Sequence, residues 1–253
     1  MNLIGWDYTG RNISYELHLQ IYKLVNTLSD KDFVGNLTWG TELQTKLLKP
    51  VGITSSGILR TVKKICDNFG FFDIHYINGN TIPDGTKILT SLGKKLYHVI
   101  DLEKKIKESV DLSPQDFDKA IEQIKILYEE IYCEGLLQYK IKNSDGTSFS
   151  PLKITLLALQ KYQTLDKWEW YLLNTLVRHE NNEEEEKQFN IYLNQYRQKK
   201  ISFTMNDVVE KPKGHQYLPQ YFNFAGLAIV EQKPHWFIKN SLKHSEIKQI
   251  ILK

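Results

Sequence analysis

The stretch from Ile53 to Val99, ITSSGILRTVKKICDNFGFFDIHYINGNTIPDGTKILTSLGKKLYHV, constrains the chain most, because each of its parts permits few conformations. Thr54, Ser55 or Ser56 can cap a helix by accepting a hydrogen bond from a free backbone N–H. Ile58, Val62, Ile65, Cys66 and Phe69 then recur at helical spacing and predict an inward stripe. Ser56, Arg60, Lys63 and Lys64 are left for the outward face. Gly70 can stop the helix in the left-handed conformation that side chains resist. Two extended runs, Phe71 to Ile77 and Thr86 to Thr90, flank NGNTIPDG, a string of turn formers.

A helix with a basic outer face followed by a hairpin is the pattern of a winged helix-turn-helix, and its expected role is to read DNA. A chain of 253 residues is long enough for one large core or two to three small ones. A net charge of +3 permits nucleic-acid binding where the basic groups cluster, without requiring it. Cys66 and Cys133 both fall on apolar helical faces and are expected as buried thiols in a reducing compartment. No apolar run reaches the ~20 residues of a membrane span. The opening MNLIGWDYTGRN lacks the layout of a signal peptide, so a soluble, cytoplasmic protein is expected.

Residues 1–13 are expected as an arm, anchored by Trp6, laid over the first domain. Ser14 caps a helix with Leu17, Ile21, Leu24, Val25 and Leu28 on one face. A second short helix, Thr41 to Leu48, is expected to break at Pro50 and Gly52. A closing helix over Leu92 to Ile106 completes a first winged-helix domain, residues 1–110. Ser113-Pro114-Gln115-Asp116 signals another start, with Phe117, Ile121, Ile124, Tyr128 and Ile131 inward and Gly135 as the stop. Ser150-Pro151 opens a further helix, and another follows from about Leu165. The acids Glu183 to Glu186 suit the start of a helix whose end carries Arg197, Lys199 and Lys200.

The last stretch repeats the architecture of the first. A helix with Tyr217, Leu218, Tyr221 and Phe222 stops at Gly226, and strands Leu227 to Gln232 and Trp236 to Ile238 follow, joined across Lys233-Pro234. The predicted fold class is therefore mainly α with small β-hairpins (α+β), in tandem winged-helix-like domains at 1–110 and 111–253.

For DNA, Arg60 and Lys63 can reach base edges or phosphates, with Ser55, Ser56 and Lys64 beside them. Arg11 and Asn12, in a glycine-flanked arm, can enter a groove. Lys211, Lys213, His215, Gln216, Gln220 and Asn223 surround the later helix, where carboxamides suit adenine and lysines suit phosphate. The alternatives are a solvated helix face for the first set, an ordinary disordered terminus for the arm, and a polar loop and helix face for the last. Catalysis finds less support. Metal-dependent nucleases need an acid and a Glu-x-Lys on adjoining strands, and Glu231-Gln232-Lys233 with Asp207 upstream offers no second acid near Glu231. The seven histidines lack zinc spacing, and neither a phosphate-binding glycine loop nor a nucleophile elbow is present.

The order of pieces resembles the DNA-recognition region of type IIS restriction and nicking endonucleases of the AlwI and FokI kind. The resemblance is carried by WDYTGRN, ITSSGILRTVKKICDNFGFFDI with LTSLGKKLY, SPLKITLLALQKYQTLDKWEWYLL and QYFNFAGLAIVEQKPHWFIKNSLKHSEIKQII. It implies recognition of a short asymmetric double-stranded site by two winged-helix subdomains, with no catalytic residue and no metal in this chain. The family continues into a Mg2+-dependent nuclease domain where this sequence ends at Lys253, so a separate nuclease domain or subunit is the expected partner. A monomer is expected in the absence of DNA. The alternative is a bacterial or phage winged-helix regulator of transcription or replication.

Overall fold

The computed structural model describes residues 1–29, 39–73 and 88–251. They form ten α-helices and two small antiparallel sheets, so the molecule is mainly helical with an α+β character. Two compact units are present, Gly10–Gly135 and a discontinuous one made of Met1–Thr9 with Leu136–Lys253. Among the described residues no helix is long and apolar enough to cross a membrane.

The first unit is built on α1 (Tyr15–Leu28), α2 (Thr41–Val51), α3 (Ser56–Asn68), α4 (Ser91–Glu108) and most of α5 (Pro114–Gln138). Ser14, Ser55 and Thr90 cap α1, α3 and α4 through their side-chain oxygens. Leu17, Ile21, Leu24, Val25 and Leu28 of α1 are all buried, and α1 packs on α2, α3 and α4. The inward stripe of α3 keeps Val62, Ile65, Cys66 and Phe69 as expected but begins at Leu59 in place of Ile58. Leu59 is fully buried with Val62, Ile65 and Cys66, while Ile58 is 37% exposed. Helix α2 also runs through Pro50, which sits in its last turn, and ends at Gly52 with φ +73°. Proline that near a C-terminus forfeits one hydrogen bond without breaking the turns behind it.

Gly70, at φ +66°, ends α3 as expected. The chain then turns into the base of a hairpin, where Phe72 bridges Leu89 antiparallel and the Asp73 N–H donates to the Ile88 carbonyl at 2.7 Å. Most of the expected wing, residues 74–87, lies outside the described residues. Gly135 was expected to stop α5, yet the helix continues to Gln138. Its role is close approach: a Cβ there would stand 2.9 Å from the Phe69 Cβ and 3.0 Å from the Phe69 carbonyl oxygen. Both cysteines are buried, and burial pushes the Cys66 thiol well up.

This core also holds a polar cluster. His18 is 3% exposed, stacks on Tyr128 at 4.1 Å and meets the Tyr132 hydroxyl at 3.2 Å. The Tyr128 hydroxyl donates to Glu103 at 2.7 Å, and Lys107 lies 3.1 Å from the same carboxylate. Burial works against the charged form of Glu103, but the His18 ring 3.8 Å away and the closer Tyr128 hydroxyl and Lys107 ammonium outweigh it and hold the carboxyl down to about 2.

The second unit opens with a two-residue hairpin, β1 (Ile141–Lys142) with β2 (Ser148–Phe149), then α6 (Pro151–Tyr162). Next come β3 (Thr164–Asp166), α7 (Lys167–Leu176), α8 (Glu183–Arg197) and a 3-10 turn at Met205–Asp207. The unit finishes with α9 (Gly214–Phe224), β4 (Ala228–Glu231), β5 (Phe237–Asn240) and α10 (Ser245–Ile251). Its sheet has the order β3-β5-β4, antiparallel throughout, with Leu165 and Val230 both opposite Ile238. Gly226, at φ +67°, makes the turn from α9 into the hairpin. Asp166 and Glu169 cap α7 reciprocally, the carboxylate of Asp166 accepting from the Trp168 and Glu169 N–H groups.

Residues 1–9 of the N-terminal arm belong to this second unit, not to the first as expected, while the chain from Gly10 onward belongs to the first. Leu3 bridges Val208 in parallel, and its N–H donates to the Asp207 carbonyl at 2.7 Å. Trp6 is fully buried, donates from Nε1 to the Val177 carbonyl at 2.8 Å and stands edge-on to Trp170 and Phe149. Its apolar bulk with one polar handle explains why it can be sunk this deep at no cost in unpaired N–H.

Candidate nucleic-acid interface

In the first unit α2 and α3 are joined by four residues, Gly52 to Ser55, the short glycine-containing link that a helix-turn-helix needs. Ser55 is spent on capping, accepting from the Ile58 N–H at 3.4 Å. Arg60 is exposed, with Nη1 3.4 Å from the Gln44 Oε1, and Lys64 is exposed beside it. Ser56 is half-buried.

Lys63 departs from the expected outward face. It is 6% exposed and its Nζ sits 2.7 Å from the Asp67 carboxylate, under the Trp39 ring. An ammonium buried this far is stable only when paired, and the pairing removes it from any DNA-facing role. Burial raises the pKa of Asp67 despite that partner.

Arg11 and the start of α3 are brought together. Gly10, Arg11, Ser55, Gly57, Ile58 and Thr61 line one open concavity of about 390 Å³. Arg11 is steadied there by Gln20, whose Oε1 accepts from Nη1 at 2.6 Å, with Glu16 at 3.8 Å. Asn12 is exposed. Sequence reasoning missed Thr61 and misplaced Ile58. The signal lay in the i, i+4 relation of Gly57 to Thr61, whose hydroxyl donates to the Gly57 carbonyl at 3.0 Å.

In the second unit Gln216, Gln220 and Asn223 are all exposed on α9, at spacings of four and three that place them on one face. Lys211 is exposed and Lys213 half-buried where α9 begins. The Asn223 Oδ1 accepts from the Val230 N–H at 2.9 Å, which ties the helix to β4 and leaves its amide NH2 outward of that bond. Thus α9 presents three carboxamides preceded by two lysines.

His215 is the exception. It is 4% exposed, stacked on Tyr171 at 4.0 Å, with Nε2 3.4 Å from the Leu3 carbonyl. Burial lowers its pKa to about 4, so it is neutral at physiological pH and its ring belongs to the core. A histidine three residues before buried Leu218 shares that residue's face, and this spacing was the overlooked sign.

The nuclease candidates are otherwise engaged. Asp207 accepts from the backbone N–H and hydroxyl of Thr204, at 2.8 and 2.9 Å, and those bonds lower its pKa. Glu231 on β4 forms an ion pair with Lys239 on β5. Among the described residues no group of three or more His, Cys, Asp or Glu is placed to hold a metal ion. Compared with known proteins, the chain matches no family model and no curated sequence.

Proposed function

We propose that this chain recognises a short, asymmetric double-stranded DNA site, as the target-recognition region of a type IIS restriction or nicking endonuclease whose Mg2+-dependent nuclease domain lies elsewhere. The observation that carries the reading is the second unit's element order. Helix α6, strand β3, helix α7, helix α9 and the β4–β5 hairpin come in this order with the sheet as β3-β5-β4, which supports reading the unit as a winged helix with α8 as an insertion. In that plan α9 is the recognition helix, and its exposed residues are the carboxamides of Gln216, Gln220 and Asn223. The first unit supports the same plan with a helix-turn-helix at α2–α3 and the base of a hairpin at Phe72 and Leu89.

Lysines 64, 211 and 213 would set register on phosphates, while Arg60 and the α9 carboxamides would read base edges. Arg11 would enter a groove beside the start of α3. Binding of this kind weakens steeply with salt and needs no divalent metal from this chain. The second reading, a regulator of transcription or replication, uses the same surfaces but calls for a two-fold symmetric site.

Selection of bound sequences from a random duplex pool, at near-physiological salt and with chelator, decides among these. A single asymmetric motif of about five to seven base pairs supports the proposal, and Gln220→Ala should then cost about 1–3 kcal/mol at one position. A palindrome moves the assignment to a regulator. Absence of any enriched motif overturns specific recognition.

A further inference from the structure

Between α6, α7 and α8 the second unit holds a half-enclosed cavity of about 330 Å³. Its floor is apolar: Ile154, Ala158, Leu173 and Phe189 of the three helices and Val177, which caps the end of α7, are all buried. We propose that this cavity is a binding site for a small, uncharged aromatic molecule of one or two rings carrying a hydrogen-bond acceptor. The proposal does not depend on DNA recognition.

Four features define that ligand. The volume sits at the lower end of the range of small-molecule pockets, roughly 300–1,000 Å³, and is far beyond what a water cluster on an apolar floor would occupy stably. The wall is aromatic, with Tyr162 and Phe189 edge to face at 5.8 Å and 80°, a geometry a further flat ring can extend. Charge at the rim cancels: Lys161 and Glu186 are both exposed and opposite in sign, and both His179 nitrogens are taken by carboxylates, Glu185 at 2.6 Å and Asp145 at 3.1 Å. The rim therefore carries no net charge that favours a ligand of one sign, while the floor penalises the desolvation of any ion.

The polar handle is Asn190. It is half-buried at the pocket edge beside the Tyr162 hydroxyl, which donates to its Oδ1, and its Nδ2 is the group that can donate to a ligand acceptor. An apolar body with one acceptor matches a pocket in which a few placed polar groups set orientation and the floor supplies affinity.

The probes are quinoline, which has the size, the ring faces and one acceptor nitrogen, and naphthalene, which lacks the acceptor. Titrations of the full chain are followed through the methyl resonances of Ala158, Leu173 and Val177. Saturable shifts of these methyls are expected, with quinoline about tenfold tighter than naphthalene, the value of one hydrogen bond. Ala158→Phe, which fills the cavity, should abolish the shifts, and Asn190→Leu should bring quinoline down to the naphthalene level. If Ala158→Phe loses its dispersed spectrum, Leu157→Trp from the half-buried edge replaces it. Absence of saturable shifts, or binding that survives the filled cavity, overturns the site. Equal affinity for the two probes overturns the acceptor requirement.

Discussion

The imidazole of His215 lies face to face with the ring of Tyr171, centroids 4.0 Å apart and planes 20° from parallel. The contact places a titratable ring where water does not reach, and burial lowers its pKa to about 4. An unfolded chain protonates the same ring near 6.5. The neutral form therefore supports the fold above pH about 6.5, and that support is lost as the pH falls from there through about 4. At roughly 1.4 kcal/mol per unit the full loss is about 3 kcal/mol. His18, also lowered by burial, acts in the same direction, so the comparison must be internal. Denaturant unfolding of the wild type and His215→Phe at pH 7.5, 5.5 and 4 should show a flatter decline in the variant. Parallel curves would mean that His215 does not titrate on unfolding.

His179 predicts the opposite sign. Its bonds to Glu185 and then Asp145 raise its pKa above the ordinary value. The imidazolium thus stabilises the fold fully below pH about 6.5, and this is lost as the pH rises through the native pKa. A histidine-selective NMR titration should place its midpoint above that of an unfolded reference peptide. His179→Gln should remove the dependence while leaving the acid limb set by His215 intact.

Lys63 and Lys64 are neighbours in sequence with separate consequences. The Lys63 and Asp67 side chains are only 8% and 12% exposed, so Lys63→Met leaves a buried carboxylate without its ammonium and should cost about 3 kcal/mol of stability. Lys64→Ala is exposed and should change stability by less than about 0.5 kcal/mol. Under the DNA-binding proposal Lys64→Ala lowers affinity for every sequence alike and reduces the salt slope by about one. Thermal melts and a salt-dependent binding series on the two variants separate the roles. A stable Lys63→Met protein would contradict the buried pairing.

Gly135→Ala sets helix propensity against packing. Inside a helix the change alone is worth up to about 1 kcal/mol in favour of alanine. The new Cβ, however, meets Phe69 at 2.9 Å on the side chain and 3.0 Å on the backbone oxygen. Overpacking of this kind costs about 1–3 kcal/mol, so net destabilisation is expected in a denaturant titration. A more stable variant would show that α5 can shift without penalty.

Much of the helical fold was legible because caps and apolar spacing are local. Ser14, Ser55, Thr90 and Ser150 cap helices where their hydroxyls accept from the third N–H onward, and Gly70 and Gly226 turn left-handed where the stripe runs out. Other features depend on distant partners. Strand β3 is three residues, Thr164 to Asp166, too short for any periodicity, and exists because β5 pairs with it across 70 residues of chain. Lys63 and His215 read as surface because of their polarity; Asp67 is a local i, i+4 partner, and the contacts that go with burial, Trp39 over Lys63 and Tyr171 on His215, come from outside their helices. Of the candidate interface, the exposed positions on α9 were visible from the sequence. The concavity beside Arg11 was not, since it needs the arm and α3 placed together.

The pairing of Leu3 with Val208 carries a further consequence for how the molecule is made. The Gly10–Gly135 unit is an insertion: the chain begins one body, leaves it for 126 consecutive residues, and returns to finish it. On a ribosome the inserted body has all its residues long before its host does. Trp6 precedes the inserted body and waits, without Val177, Trp170 or Phe149, until the chain beyond that body has been synthesised. A change within residues 1–9 would therefore disturb the unit completed after the inserted one, not the one that follows it directly in the chain.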